Sequence, residues 1–314
     1  MKKFLSIILP LAMLFSLSVT AFAAEETVVE QTTYTNEYDY ITTLQQMDSE
    51  SLSEIGMTSD DVAATVESYY AAVSERASLP EETLIGYGYT PEQIEILKNY
   101  NTSMLTSRST SLSAEQLRAI AGVCTGNLTS TYCSTRLANF TYTWSWDHAP
   151  FVQLSDSAAV RWAAYDTNGY DLDVTKYSET TNIDYYWGTT KKFSRVGTQE
   201  ANLEFNAINL QFDVVETFYS NTGIAEEAYA KNGKIFAALK VEPEVTNNLS
   251  YLKVAALYGH TLIGVGSPSI SLSVPAGISI GFSGNTSIDP IAGSKVKISI
   301  GSKNNTPIVS SILN

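Results

Sequence analysis

Phe140-Thr-Tyr-Thr-Trp-Ser-Trp146 places an aromatic residue at every second position and a small hydroxyl residue between. A repeat of two belongs to a β-strand with one buried and one polar face. Tyr142, Trp144 and Trp146 then share a face, which reads as the core side of a sandwich. From Phe140 onward the pattern continues in kind. Val160 to Tyr165 and Tyr170 to Val174 flank Asn168-Gly169, and Tyr229 to Lys231 and Lys234 to Val241 flank Asn232-Gly233. Asn-Gly between strand-forming runs is a strong hairpin signal, and both pairs are expected to be turns. Ile208, Leu210, Phe212 and Val214 alternate with polar partners, as do Leu252, Val254, Ala256 and Tyr258, and finally Val296, Ile298 and Ile300. About ten short strands joined by turns predict an antiparallel sandwich or barrel.

One stretch in this half has a second use open to it. In Ser269-Ile-Ser-Leu-Ser-Val-Pro-Ala-Gly-Ile-Ser-Ile-Gly-Phe-Ser283, a loop at Pro275 to Gly277 pairs Val274 with Ile278, Leu272 with Ile280 and Ile270 with Phe282. Ser273, Ser271 and Ser269 then oppose Ser279, Gly281 and Ser283. One face is wholly apolar and the other small and uncharged, so the hairpin suits either a core or a membrane wall. Arms of about six residues are shorter than the roughly 9 to 11 of a spanning strand, which favours the core.

Upstream the pattern is helical and acidic. Residues 24 to 110 hold 16 Asp and Glu against 3 Lys and Arg, whereas residues 111 to 314 hold 17 against 14. Such a surface disfavours nucleic acid as a partner. Leu52, Gly56, Met57, Thr58, Asp61 and Val62 recur 32 residues later as Leu84, Gly88, Tyr89, Thr90, Gln93 and Ile94. In each copy a glycine stops one helix, and a threonine caps the next with an acid or amide three residues on. Ser113 and Gln116 open a further helix. A small bundle packed on the following domain accounts for this region, and a chaperoning or inhibitory pro-segment is the other use for it. The Ser/Thr-rich segment 101 to 110 is the expected linker.

Lys2 and Lys3, the apolar run from Phe4 to Val19, and Ala21-Phe22-Ala23 form an export signal with cleavage expected after Ala23. The expected division is a signal peptide at 1–23, an acidic helical region at 24–110, a helix and disulfide loop at 111–139, and an antiparallel β-domain at 140–314. The fold class is α+β. Cys124 and Cys133 are the only cysteines, and an even pair in an exported chain is expected to form one disulfide.

Residues suited to chemistry are few. Only His148 and His260 offer an imidazole, and Ser267 lacks the Gly-x-Ser-x-Gly setting of a nucleophile elbow. A non-enzymatic protein is the expectation, with His260 a hydrogen-bonded core residue. No zinc-binding spacing is present. Asp166, Asn168, Asp171 and Asp173 cluster around Asn168-Gly169. In a two-residue turn Asp166 faces Asp171, and opposed carboxylates of this kind are relieved by a cation, so calcium is the candidate cofactor. Tyr185-Tyr186-Trp187, between Asp184 and Gly188, reads as an exposed aromatic platform for an extracellular glycan or a protein ligand.

Trp144-Ser-Trp146 with Pro150, then Asp156 and Trp162, then Tyr258-Gly-His260-Thr261 with Pro268-Ser-Ile-Ser, resembles uncharacterised secreted proteins of Gram-positive bacteria. The resemblance implies a secreted β-domain over about residues 140 to 285 and transfers no catalytic or binding residue.

Overall fold

A computed structural model describes residues 31–54, 57–105, 112–199, 206–220, 223–261, 269–271, 281–283, 288–301 and 305–311. The strand β3 (Leu137–Trp146) alternates as its sequence demands, with Ala138, Phe140, Tyr142, Trp144 and Trp146 buried and the residues between them half-buried. It lies inside a first antiparallel sheet with β1 (Gln31–Asn36), β2 (Val123–Thr129), β6 (Val174–Trp187), β7 (Thr190–Arg195) and β11 (Ala225–Val241), in the order β1-β2-β3-β11-β6-β7. A further strand, β10 (Val215–Tyr219), pairs with the start of β11.

The second sheet runs β16-β15-β12-β4-β9-β8. It comprises β4 (Ser155–Tyr165), β8 (Thr198–Gln199), β9 (Ala207–Asp213), β12 (Tyr251–Thr261), β15 (Ile288–Ile300) and β16 (Pro307–Ser311), with β5 (Asp171–Leu172) paired to β4. The two sheets close on one core. Trp144 of the first stacks on Phe212 of the second at 5.7 Å and lies against Tyr258 at 5.5 Å, and Phe140 meets Trp162 at 5.6 Å. Aromatic side chains of this size each remove about 150 to 250 Å² from water, so these contacts dominate the stability of the sandwich. The α+β class with a two-sheet sandwich is thus realised.

Among the described residues six helices supply a second layer: α1 (Glu37–Gln46), α2 (Ser49–Glu54), α3 (Ser59–Ser78), α4 (Glu81–Gly86), α5 (Pro91–Leu105) and α6 (Ala114–Ile120). Their ends follow the sequence repeat. Met57 N–H donates to Leu52 O at 2.9 Å and Tyr89 N–H to Leu84 O at 3.1 Å, the same helix-closing bond in both copies. Gly88 takes φ +88°, where a side chain would be strained. Thr58 with Asp61, Thr90 with Gln93 and Ser113 with Gln116 form reciprocal caps. Tyr69, Val73, Leu84, Tyr87, Leu97 and Ile120 then bury themselves against Phe151 and Tyr229 of the β-layer.

Several expectations are corrected. Asn232-Gly233 is no turn, since β11 runs unbroken through it. Gly233 is needed there for room: a Cβ would lie 1.9 Å from the Trp144 ring. Asn232 is held by Ser145, whose hydroxyl donates to Oδ1 at 2.7 Å. Strand structure also starts before Phe140, because β1 and β2 extend the first sheet. The Cys124–Cys133 disulfide does not form, and both thiols are buried. Cys124 stands opposite Trp146 and Cys133 opposite Ala138, at the two ends of β3. Eight residues of strand separate those positions by about 26 Å, whereas a disulfide needs Cα atoms within about 7 Å. The intervening segment, expected as a tight loop, is largely the strand β2.

The strands β13 (Ser269–Ser271) and β14 (Gly281–Ser283) pair in the expected register, Ser269 with Ser283, Ile270 with Phe282 and Ser271 with Gly281. The inner pairs, Leu272 with Ile280 and Val274 with Ile278, lie outside the described residues, as do Ser267 and the export signal.

Candidate binding cleft and the buried network beneath it

The helix α3 starts at a capped Thr58 and turns Val62, Thr65, Tyr69, Val73, Arg76 and Ala77 inward. An arginine on that stripe requires partners, because an unpaired buried charge is costly. Arg76, 4% exposed, donates from Nη2 to Pro150 O at 2.9 Å and Phe151 O at 3.4 Å, and from Nη1 to the Tyr89 hydroxyl at 3.3 Å. Its guanidinium also lies 4.4 Å from the Tyr87 ring centre.

Arg76 thereby fixes one wall of a cleft of about 590 Å³ between the helices and the β-layer. Ser68, Ala72, Glu75, Leu79 and Thr83 line it from the helical side, and Phe151, Gln153, Leu154 and Glu227 from the other. The Tyr87 hydroxyl donates to Glu227 Oε2 at 2.8 Å. Burial and then this bond push the Tyr87 phenol up to about 12. The Gln153 side-chain nitrogen is buried at the cleft beside the Tyr87 hydroxyl, and its donor character partly opposes that rise.

Below the cleft floor runs a charged network. Glu37 opens α1 directly after the N-cap Asn36 and is wholly buried. Its carboxylate accepts Gly122 N–H at 2.9 Å and Phe151 N–H at 3.0 Å. His260 Nε2 lies 3.4 Å from Glu37 Oε1, and Nδ1 is 3.0 Å from both Asp156 oxygens. Asp156 also accepts Thr261 N–H at 2.9 Å and the Tyr258 hydroxyl at 2.5 Å, and that hydroxyl accepts Trp146 Nε1–H at 3.0 Å. Burial alone would lower the His260 pKa, but the flanking Asp156 and Glu37 outweigh it and raise it to about 10. A histidine already protonated at neutral pH cannot act as a general base. The Phe151 peptide joins the two systems, its N–H bound by Glu37 and its carbonyl by Arg76.

The residues singled out from sequence are placed elsewhere. Tyr185, Tyr186 and Trp187 end the strand β6 and form no exposed platform. Tyr185 is buried, stacked on Phe193 at 4.7 Å with its hydroxyl donated to Asp213 O at 2.7 Å. Trp187 packs edge-on to Tyr87 at 5.3 Å beneath α4, where a Cβ on Gly86 would touch its ring at 2.1 Å. The polar flanks Asp184 and Gly188 signalled a loop, and the packed helix overrode them.

Asp166 does not face Asp171. It pairs with Tyr170 across a three-residue loop, Thr167 to Gly169, and Asp171 pairs with Tyr165. The Asp166 carboxylate accepts Asn168 N–H at 2.8 Å, Tyr170 N–H at 2.9 Å and the Asn247 amide at 2.9 Å, an Asx turn that satisfies it with donors. Asn168 and Asp173 are exposed. Among the described residues no group of three or more His, Cys, Asp or Glu side chains is arranged to hold a metal ion. His148 is buried and stacked on Tyr89 at 4.3 Å.

Sequence reasoning missed Glu37, Arg76, Tyr87, Gln153 and Glu227. Arg76 carried a signal, since it falls three residues after Val73 on an otherwise apolar stripe.

No family model and no curated protein matches the chain. Among solved structures it is similar to one titled "AvmM Catalyzes Macrocyclization in Alchivemycin A Biosynthesis", at 8% identity and a TM-score of 0.21, over 56% of this chain and 90% of that one. A superposition that loose assigns neither fold nor reaction to this chain.

Proposed function

We propose that this is an exported, non-enzymatic binding protein whose ligand enters the cleft between the helical layer and the sandwich. The observation that carries this is the cleft itself. Its volume falls in the usual range for small-ligand sites, its walls come from two packed layers, and it presents a carboxylate oriented by Tyr87. Arg76 and Glu37 hold the floor rigid from below, so little ordering is required on binding. Extracellular peptides and glycans are the ligand classes that an exported protein meets.

The test is an array of glycans and short peptides probed with residues 24–314. Binding is expected for the native chain and absent for Ala72→Trp, whose indole fills the cleft. Binders that ignore Ala72→Trp, or no binder at all, overturn the proposal. Export predicts Ala24 as the first residue of the secreted protein, read by N-terminal sequencing.

A second reading has its own observation. In the paired arms β13 and β14, Ile270 is in register with Phe282, and Ser269 and Ser271 with Ser283 and Gly281, the alternation a membrane-inserting hairpin uses. Dye release from anionic liposomes, abolished by Ile270→Asp, is its expected signature. Intact liposomes at every pH and lipid composition remove it. No helix among the described residues is long and apolar enough to cross a membrane.

A further inference from the structure

We propose that the helical layer carries a second docking surface, an apolar groove that takes the apolar face of an amphipathic helix whose other face is cationic. The groove lies between α1, α2 and α3 and holds about 530 Å³. Its floor is Leu44 of α1, Leu52 of α2 and Val62 of α3, which are 1%, 4% and 8% exposed. Met47 and Val66 line it half-buried, and Ala63 lines it exposed. Leu44, Leu52 and Val62 belong with Met57 to a small apolar cluster, separate from the one that joins the helices to the sandwich. The helix α2 covers that cluster with only six residues, and what stays open is a trough between helices, the shape that receives a further helix. Val62, Ala63 and Val66 of α3 face the groove, whereas Ala72, Glu75 and Arg76 line the cleft on another side of the same helix. The groove therefore stands whether or not the cleft holds a ligand.

The charge of the occupant follows from what surrounds the groove. Residues 37–75, which span α1, α2 and the groove-lining part of α3, contain nine Asp and Glu and no Lys, Arg or His. Asp48 and Glu50 at the start of α2, Asp60 and Asp61 in the first turn of α3, and Glu67 on the groove wall are exposed. The cations among the described residues of the helical layer are engaged elsewhere. Arg76 donates inward to Pro150 O and Phe151 O, Arg118 pairs with Asp39, and Lys98 donates to Ala77 O. An apolar trough within a negative field selects a partner with an apolar stripe flanked by Lys or Arg. Leucines spaced three and four apart on such a helix fill the floor, and the cations beside them meet the carboxylates. The same field repels other occupants. A second copy of this chain brings a formal charge of -14, and an anionic membrane brings charge of the same sign.

The experiment is calorimetric titration of residues 24–314 at pH 7 with a peptide of two Leu-Lys-Lys-Leu-Leu-Lys-Leu repeats. Two controls are the same peptide with Glu for every Lys, and a scrambled version that has no apolar face. The lysine peptide is expected to bind the native chain and Ala72→Trp equally well. It is expected to bind at least tenfold more weakly to Ala63→Trp, whose indole fills the groove, and at least threefold more weakly to Glu67→Lys. Ala63 and Glu67 are exposed, so both variants are expected to keep the helical circular dichroism of the native chain. The glutamate and scrambled peptides are expected to bind at least tenfold more weakly, and added salt is expected to weaken the lysine peptide. No binding of the lysine peptide, equal binding of either control, or binding unchanged in both Ala63→Trp and Glu67→Lys overturns the proposal. Binding lost in Ala72→Trp but kept in Ala63→Trp moves the peptide to the cleft and overturns the groove. A dimer of the native chain by sedimentation, dissociated by Ala63→Trp, gives the groove to a second copy and overturns the proposal as well.

Discussion

Glu37, His260 and Asp156 form a buried triplet of two carboxylates and one imidazole, satisfied by the N–H groups of Gly122, Phe151 and Thr261 and by the Tyr258 hydroxyl. Removing one member leaves an uncompensated charge in the interior. His260→Ala is therefore expected to cost about 3 to 5 kcal/mol, measured by urea unfolding followed through tryptophan fluorescence. The same group gives the fold a pH dependence with a definite sign. His260 holds its proton to about 10 in the folded chain and to the ordinary 6.5 in the unfolded one. Below pH 6.5 both states are protonated and the stabilisation is complete. Between 6.5 and 10 the unfolded chain has released a proton that the folded chain keeps, so stability falls as pH rises. The urea midpoint is expected to decline steadily from pH 7 to 9.5 and to decline less in Glu37→Gln; a midpoint constant over that window contradicts the triplet.

At the scale of elements, two segments show local sequence overruled by neighbours. Asn232-Gly233 carries hairpin chemistry, yet β11 runs straight through it because β3 on one side and β6 on the other supply ladder partners along its length. Gly233 is required by the Trp144 ring lying over it, so Gly233→Ala is expected to destabilise by about 1 to 3 kcal/mol through overpacking, whereas a glycine in a free turn would tolerate alanine better. Equilibrium unfolding of the variant checks this. The cysteines are the second case. The alternation of Cys124, Gly126 and Leu128 toward the core makes β2 an extended strand, and extension carries Cys133 to the far end of β3. Two alkylations by iodoacetamide in denaturant without reductant are expected by mass spectrometry; zero would restore the disulfide. The helix caps behaved differently, since Thr58 with Asp61 and Ser113 with Gln116 formed as their spacing dictates. A cap needs only four consecutive residues, while the ladder partners of Gly233, Trp144 and Ile183, lie far along the chain.

For the whole molecule, the acidic region is joined to the sandwich rather than hung from it. The strand β1 pairs with β2 throughout its length, Glu37 reaches Phe151 and His260, and one apolar cluster includes Tyr69 and Leu84 with Phe151 and Tyr229. Residues 112–314 expressed alone are therefore expected to bind a hydrophobic dye and to melt without a sharp transition. A cooperative melt equal to that of residues 24–314 would instead mark the helical region as a removable pro-segment. The sequence by itself determined the sandwich class, the aromatic face of β3, the repeated helix ends and the register of Ser269 to Ser271 with Gly281 to Ser283. Those features follow from a repeat of two or from neighbours a few residues apart. Tertiary structure alone decided that Tyr185 is buried and Tyr186 and Trp187 half-buried, that the cysteines are separated, and that Arg76, Tyr87, Gln153 and Glu227 share a cleft. Each of those depends on which distant segment arrives against a surface, and no local pattern of hydrophobicity or turn chemistry records that.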